Sequence, residues 1–128
     1  MDSVRRVAEN SWMTELDSFS RQHEGWLVSI KTRTPDGKVA VAARDVPLRG
    51  VTAMAPEAHD IAVMVGDADN HLTHDVRGAI AVRIELTPDR AERALLIDTK
   101  DGSTISIEFR SPMRAEQVDG LAAPDRAS

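Results

Sequence analysis

Residues 66–76 read GDADNHLTHDV and set two histidines and three aspartates within eleven positions. These are side chains that bind metals and move protons. His71 and His74, with Asp69 as third ligand, are the candidate metal set, provided the backbone loops so that the two imidazoles converge. Leu72, His74 and Val76 alternate with His71, Thr73 and Asp75, however, which describes an extended segment. There, residues three apart point to opposite faces. The expectation is therefore structural: His74 half-buried with a hydrogen-bonded ring, His71 exposed. The preceding DADN at 67–70 opens like a calcium loop. Such a loop needs Asn or Asp, then Gly, then Glu where this chain has His71, Leu72 and Gly78. It reads as a polar turn.

A second cluster is HEGW at 23–26. A zinc-protease helix needs a second histidine four residues after the first, but Leu27 stands there and Gly25 has already ended the helix. His23 is expected in the last helical turn, where a cation suits the dipole, with Glu24 solvated. Asp45 falls on the apolar face of its strand, a costly place for an unpaired carboxylate. It is expected at the sheet rim, paired with a histidine or arginine. His23, Glu24, Trp26, Asp45, His71 and His74 are thus the candidate ligand- or partner-contacting residues. No catalytic residue and no cofactor is assigned, because the chain has no nucleophile elbow, Walker loop or dinucleotide fingerprint.

Composition narrows the classes. The 128 residues suffice for one domain with a real core. Without cysteine, disulfides, zinc-thiolate sites and thiol nucleophiles are excluded. Aromatics are 3% and the formal net charge is −5, with Lys and Arg scattered. Stacking platforms and basic stripes are both lacking, so no nucleic acid is expected as partner. No run approaches the ~20 apolar residues of a membrane helix, and residues 1–12 lack the apolar stretch of an export signal. A cytoplasmic protein with no membrane partner is expected.

The positioning elements follow from periodicity. Trp12, Leu16 and Phe19 share one face of a helix of about three turns, capped by Ser11 or Asn10 and closed by Gly25. After Gly25 the period becomes two. Trp26, Val28, Ile30 and Thr32 alternate with Ser29, Lys31 and Arg33. A two-residue Asp36-Gly37 turn sets Thr32 opposite Val41 and Ile30 opposite Ala43, and Pro47 marks a bulge or strand end. LRGVTAM and DIAVMVG read as two short strands. Ile80, Val82, Ile84 and Leu86 point inward on a further one. A three-residue Lys100-Asp101-Gly102 loop pairs Ile97 with Ile105 and Leu95 with Ile107. Met13, Met54 and Met64 are expected to fill core gaps. Residues 111–113 suggest a short helical turn.

The fold class is mainly β (α+β): an antiparallel curled sheet or small barrel of about six strands, with one N-terminal amphipathic helix packed on it. Residues 1–10 form a flexible arm, 11–119 the domain and 120–128 a disordered tail.

FSRQHEGWLVSI, HLTHDV and DGSTISIEFRSPM, in this order and spacing, resemble a family of small bacterial proteins catalogued as a domain of unknown function. The likeness runs from about Trp12 to Gly120. It implies a stand-alone, single-domain bacterial protein, transfers no catalytic or ligand residue, and makes His23, Glu24, Trp26, His71 and His74 the first residues to probe. The expected function is a non-enzymatic β domain that binds a partner protein or small ligand, with a homodimer through a sheet edge or the helix face as one form. The alternative is a metal-binding protein or metal-dependent enzyme using His71, His74 and a nearby carboxylate.

Overall fold

The computed structural model describes residues 3–55, 59–67 and 71–110. The expected turn at 111–113, the tail at 120–128 and Asp69 lie outside them. Strands β1 (Ser3–Val7), β2 (Leu27–Arg33), β3 (Val39–Ala55), β4 (Asp60–Gly66), β5 (His71–Val76), β6 (Ala79–Leu86), β7 (Glu92–Thr99) and β8 (Thr104–Phe109) accompany one helix, α1 (Trp12–His23). The strands form a single antiparallel sheet in the order β1-β6-β7-β8-β2-β3-β4-β5, curled but open, with β1 and β5 at its edges. No described helix is long and apolar enough to cross a membrane.

Eight strands form where about six were expected. The expected arm is partly a strand: Ser3 to Val7 pair with Leu86 to Val82. Val7 is buried, and its carbonyl accepts a 3.2 Å hydrogen bond from the Trp12 indole, which ties β1 to the helix start. HLTHDV is also a strand in its own right. The segments on either side of Pro47, by contrast, are one strand of 17 residues.

The bend of β3 explains that fusion. Val28 pairs with Val46 and Ile30 with Ala43, so Ser29 is opposed by both Arg44 and Asp45. This is a bulge, the device by which a strand turns a corner between two parts of a sheet. Asp45 takes φ +52°, a region that Asp enters more readily than most residues, and its N–H donates to the Ser29 hydroxyl at 3.1 Å. The extra residue turns the Asp45 side chain outward. It is exposed rather than set against the apolar face, which corrects the sequence expectation. Beyond the bulge, β3 pairs with β4.

One core results. The α1 stripe of Trp12, Leu16, Phe19 and His23 packs with Val28, Ile30, Leu48, Val51, Ile61, Val63, Val82, Ile84, Leu95, Ile97, Ile105 and Ile107. The Ser20 hydroxyl accepts the Val51 N–H at 2.8 Å, fixing α1 on β3 where the ladder shifts register near Gly50. Two apolar expectations fail. Ile80 is exposed because a register shift between Ala79 and Ala81 turns both alanines inward. Met13 and Met54 are 60% and 63% exposed, since branched aliphatics already fill the interior.

Three loops share one construction: Thr34–Lys38, Thr87–Ala91 and Thr99–Ser103. In each, the Thr N–H donates to the carbonyl four residues on, at 2.8–2.9 Å, and the fourth residue's N–H returns to the Thr carbonyl. The Thr hydroxyl donates to the Asp at the third position. That bond, then a backbone N–H, holds the Asp36 and Asp101 carboxyls below the usual value. The fourth residue has positive φ: Gly37 at +90°, Gly102 at +89°, Arg90 at +72°. The first loop therefore has three central residues, Pro35-Asp36-Gly37, where two were expected. Thr32 faces Ala40, while Ile30 still meets Ala43 because the ladder shifts once more. The β7–β8 pairs form as read from the sequence.

Arg90 is strained where the other two loops use glycine. A left-handed conformation costs an L-residue about 1–2 kcal/mol, partly offset by the entropy glycine loses on folding. Arg90→Gly is expected to stabilise the domain by about 0.5–1 kcal/mol and raise Tm by a few degrees. Calorimetry checks this. A lower Tm would show that the Arg90 side chain contributes more than its backbone costs.

Candidate functional site

The last turn of α1 carries His23 inward until the ring is only 2% exposed. Nδ1 lies 2.8 Å from the Phe19 carbonyl, and Nε2 lies 3.2 Å from the Glu92 carboxylate on β7. A carbonyl can only accept, so Nδ1 donates. Nε2 then faces the carboxylate, a contact that is attractive only with a proton between them. Phe109 stacks on the ring at 4.6 Å, Phe19 lies at 4.5 Å, and Trp26 meets it edge-on at 4.8 Å. Three of the chain's four Phe and Trp residues thus enclose one imidazole. Both ring nitrogens have partners. The chemistry available here is anchoring: α1 is pinned to β7 and β8.

The polar face of β6, β7, β8 and β2 forms a hollow of about 330 Å³ lined by Lys31, Arg33, Arg83, Glu85, Ser106 and Glu108, among others. Its charges are largely spoken for within the sheet. Arg83 grips Asp98 with two bonds of 2.8 and 2.9 Å, and the Thr104 hydroxyl donates to the same carboxylate at 2.8 Å. Lys31 pairs with Glu108 at 3.0 Å, and Ser106 donates to Glu108 at 3.1 Å.

In β5, His71 pairs with Gly66 and His74 with Val63, in unbroken register. The two imidazoles therefore leave opposite faces of one strand. His71 is exposed, in a shallow hollow of about 400 Å³ with Arg49, Met64 and Asp67; His74 is half-buried. For one metal to take both rings, β5 would have to break its pairing with β4. Among the described residues no group of three or more His, Asp or Glu is placed to hold a metal ion. Among the described residues, the free side of β5 meets no other element at more than isolated points.

A family model described as "Family of unknown function (DUF5335)" matches residues 3–118, from the first residue of β1 to beyond the end of β8. The chain belongs to this family. No curated protein and no solved structure matches it.

In this DUF5335 domain, then, His23 and Trp26 come together, while Glu24 is exposed just past the helix. Asp45 sits on the β3 bulge, and His71 and His74 are divided by the sheet. Two functional-type residues went unnoticed in the sequence. Glu92 is the partner of His23, from a strand far down the chain. His59, at φ +57°, pairs with Glu9 and lies edge-on to Trp12 at 5.7 Å, while its carbonyl accepts the Ala79 N–H. No spacing rule joins Glu9 to His59. The only local signal was a histidine in turn material, a residue type enriched at positive φ.

Proposed function

We propose that this DUF5335 domain is a non-enzymatic binding module that takes up a polypeptide partner as an added strand along the open edge of β5. The observation that carries the reading is the contrast between the two sheet edges. β1 carries two arginines in its five residues, Arg5 paired with Glu15 at 3.6 Å and Arg6 opposite Arg83, and such long basic side chains guard an edge against a further strand. β5 has no Lys, Arg or Pro in its six residues, keeps regular register and presents Leu72 at 47% exposure. Edges that are not to be paired usually carry charge, proline or a bulge. Strand addition draws its affinity from main-chain hydrogen bonds and its selectivity from alternate side chains. The titratable clusters elsewhere are engaged with one another, which supports binding over catalysis. A cytoplasmic setting belongs to the same reading.

A photo-cross-linking residue placed at Thr73, and separately at Arg33 in the polar hollow, tests the surface in living cells. Adducts from Thr73 that disappear with Leu72→Lys are the expected result. Adducts from Arg33 with none from Thr73 would move the binding surface to the hollow and overturn the reading.

A further inference from the structure

We propose that the strand taken up by β5 is β5 of a second copy of this chain, paired antiparallel about Thr73. This rests on the edge reading above and names its occupant. The argument is one of register. Backbone groups along a strand point alternately to its two neighbours, so an antiparallel pair can oppose only residues of matching parity. For HLTHDV against itself, two registers use five of the six residues.

With Thr73 on the twofold axis, His71 of each chain faces the partner's Asp75, Thr73 faces Thr73, and Leu72 faces the partner's His74. His71, Thr73 and Asp75 are all exposed on the outer face of β5, and Leu72 is among the exposed large hydrophobics. Two His–Asp pairs, in which each imidazole N–H can donate to the carboxylate opposite, a Thr–Thr pair and cover for Leu72 result, and such cross-strand pairs are favourable. With His74 on the axis, two histidines oppose each other and Asp75 faces only Thr73. The donor–acceptor match of His71 with the partner's Asp75 selects the first register.

The assembly also closes. Joining β5 to β5 consumes one edge of each sheet and, among the described strands, leaves the β1 edges, where the long side chains of Arg5 and Arg6 oppose further growth. One strand pair buries much less than the ~800 Å² per partner of a stable complex, so a reversible, micromolar association is implied.

Sedimentation velocity at pH 7, over a concentration range from about 1 to 200 µM chosen to bracket micromolar affinity, tests the proposal. His71→Asp opposes two aspartates and Asp75→His opposes two histidines. Both residues are exposed, so thermal unfolding serves as the fold control. The expected result is a concentration-dependent dimer for the native chain, at least tenfold weaker in each single variant and recovered in His71→Asp/Asp75→His. Single variants that dimerise normally, or a double variant that does not recover, would overturn the register. A native chain that stays monomeric would overturn self-pairing. In that case, adducts from the Thr73 cross-linker to another polypeptide would leave the edge reading standing. No adducts from Thr73 at all would remove both.

Discussion

His23→Ala is expected to lower the unfolding free energy by about 3–4 kcal/mol, a large share of the 5–15 kcal/mol typical of a domain. Removing the ring leaves a void bounded by Phe19, Phe109 and Trp26. It also leaves the Glu92 carboxylate facing aromatic carbon instead of Nε2. Glu92 is 18% exposed, so water relieves part of that penalty and the loss stays below the upper end for breaking buried pairs. His23→Phe refills the stack but still strands the carboxylate, and about 2 kcal/mol is expected to be lost. Pairing it with Glu92→Leu removes the unpaired charge and is expected to restore most of that. Urea unfolding of the native chain, His23→Phe, Glu92→Leu and the double variant gives the coupling energy, expected above about 1 kcal/mol for residues in contact. Additive losses would mean that His23 and Glu92 act independently, contrary to the 3.2 Å contact.

Trp12→Ala is expected to cost about 3–5 kcal/mol, the usual toll for deleting a large buried aromatic. Its effect should also be localised. The Trp12 indole donates to the Val7 carbonyl and packs edge-on against His59, which directly precedes β4. Without it, β1 keeps its ladder to β6 but loses its buried tie to the helix, leaving only the exposed Arg5–Glu15 pair at 3.6 Å. Hydrogen exchange is the decisive readout. The β1 amides should open well before those of β7 and β8, which sit inside the sheet. Trp12→Phe, which keeps most of the apolar body but not the N–H, is expected to cost about 1–2 kcal/mol. Exchange in Trp12→Ala that rises equally in β1 and β7 would show that the indole supports the core as a whole.

The legible parts of the fold were those governed by local period. The α1 stripe, the alternation of β2 and the β7–β8 register all follow from residues close in sequence. Pairing Ile97 with Ile105 and Leu95 with Ile107 needed only the hairpin itself. What escaped was set by distant or backbone terms. β1 has few apolar residues and is recruited by β6, far along the chain. The even loop assigned to Asp36-Gly37 came from assuming an unbroken ladder, whereas the ladder shifts between Ile30 and Lys31 and again at Ser29. The better signal was present as Thr-x-Asp-Gly, repeated at 34–37 and 99–102. Asp45 looked anomalous because a bulge reverses side-chain parity, and parity arguments cannot see bulges. At the candidate site, extended geometry separated His71 from His74 as their alternation implied. The burial of His23 depended on Glu92 and Phe109, which no local pattern links to it.

The strand order bears on how the chain comes into being. Among the described residues, β8 is the last strand in sequence, yet it lies between β7 and β2 and is the only bridge joining β1, β6 and β7 to the strands beyond. Until Phe109 has left the ribosome, the early residues have α1 and the meander of β2, β3, β4 and β5, but the two groups of strands cannot be joined. Contacts of such long sequence separation make folding slow, on the millisecond-to-second scale of non-local β proteins. During synthesis β2 therefore stands as a bare edge carrying Val28 and Ile30. Loss of the residues that form β8 would cut the sheet in two, and a nascent chain stalled there is the form most exposed to aggregation and to chaperones.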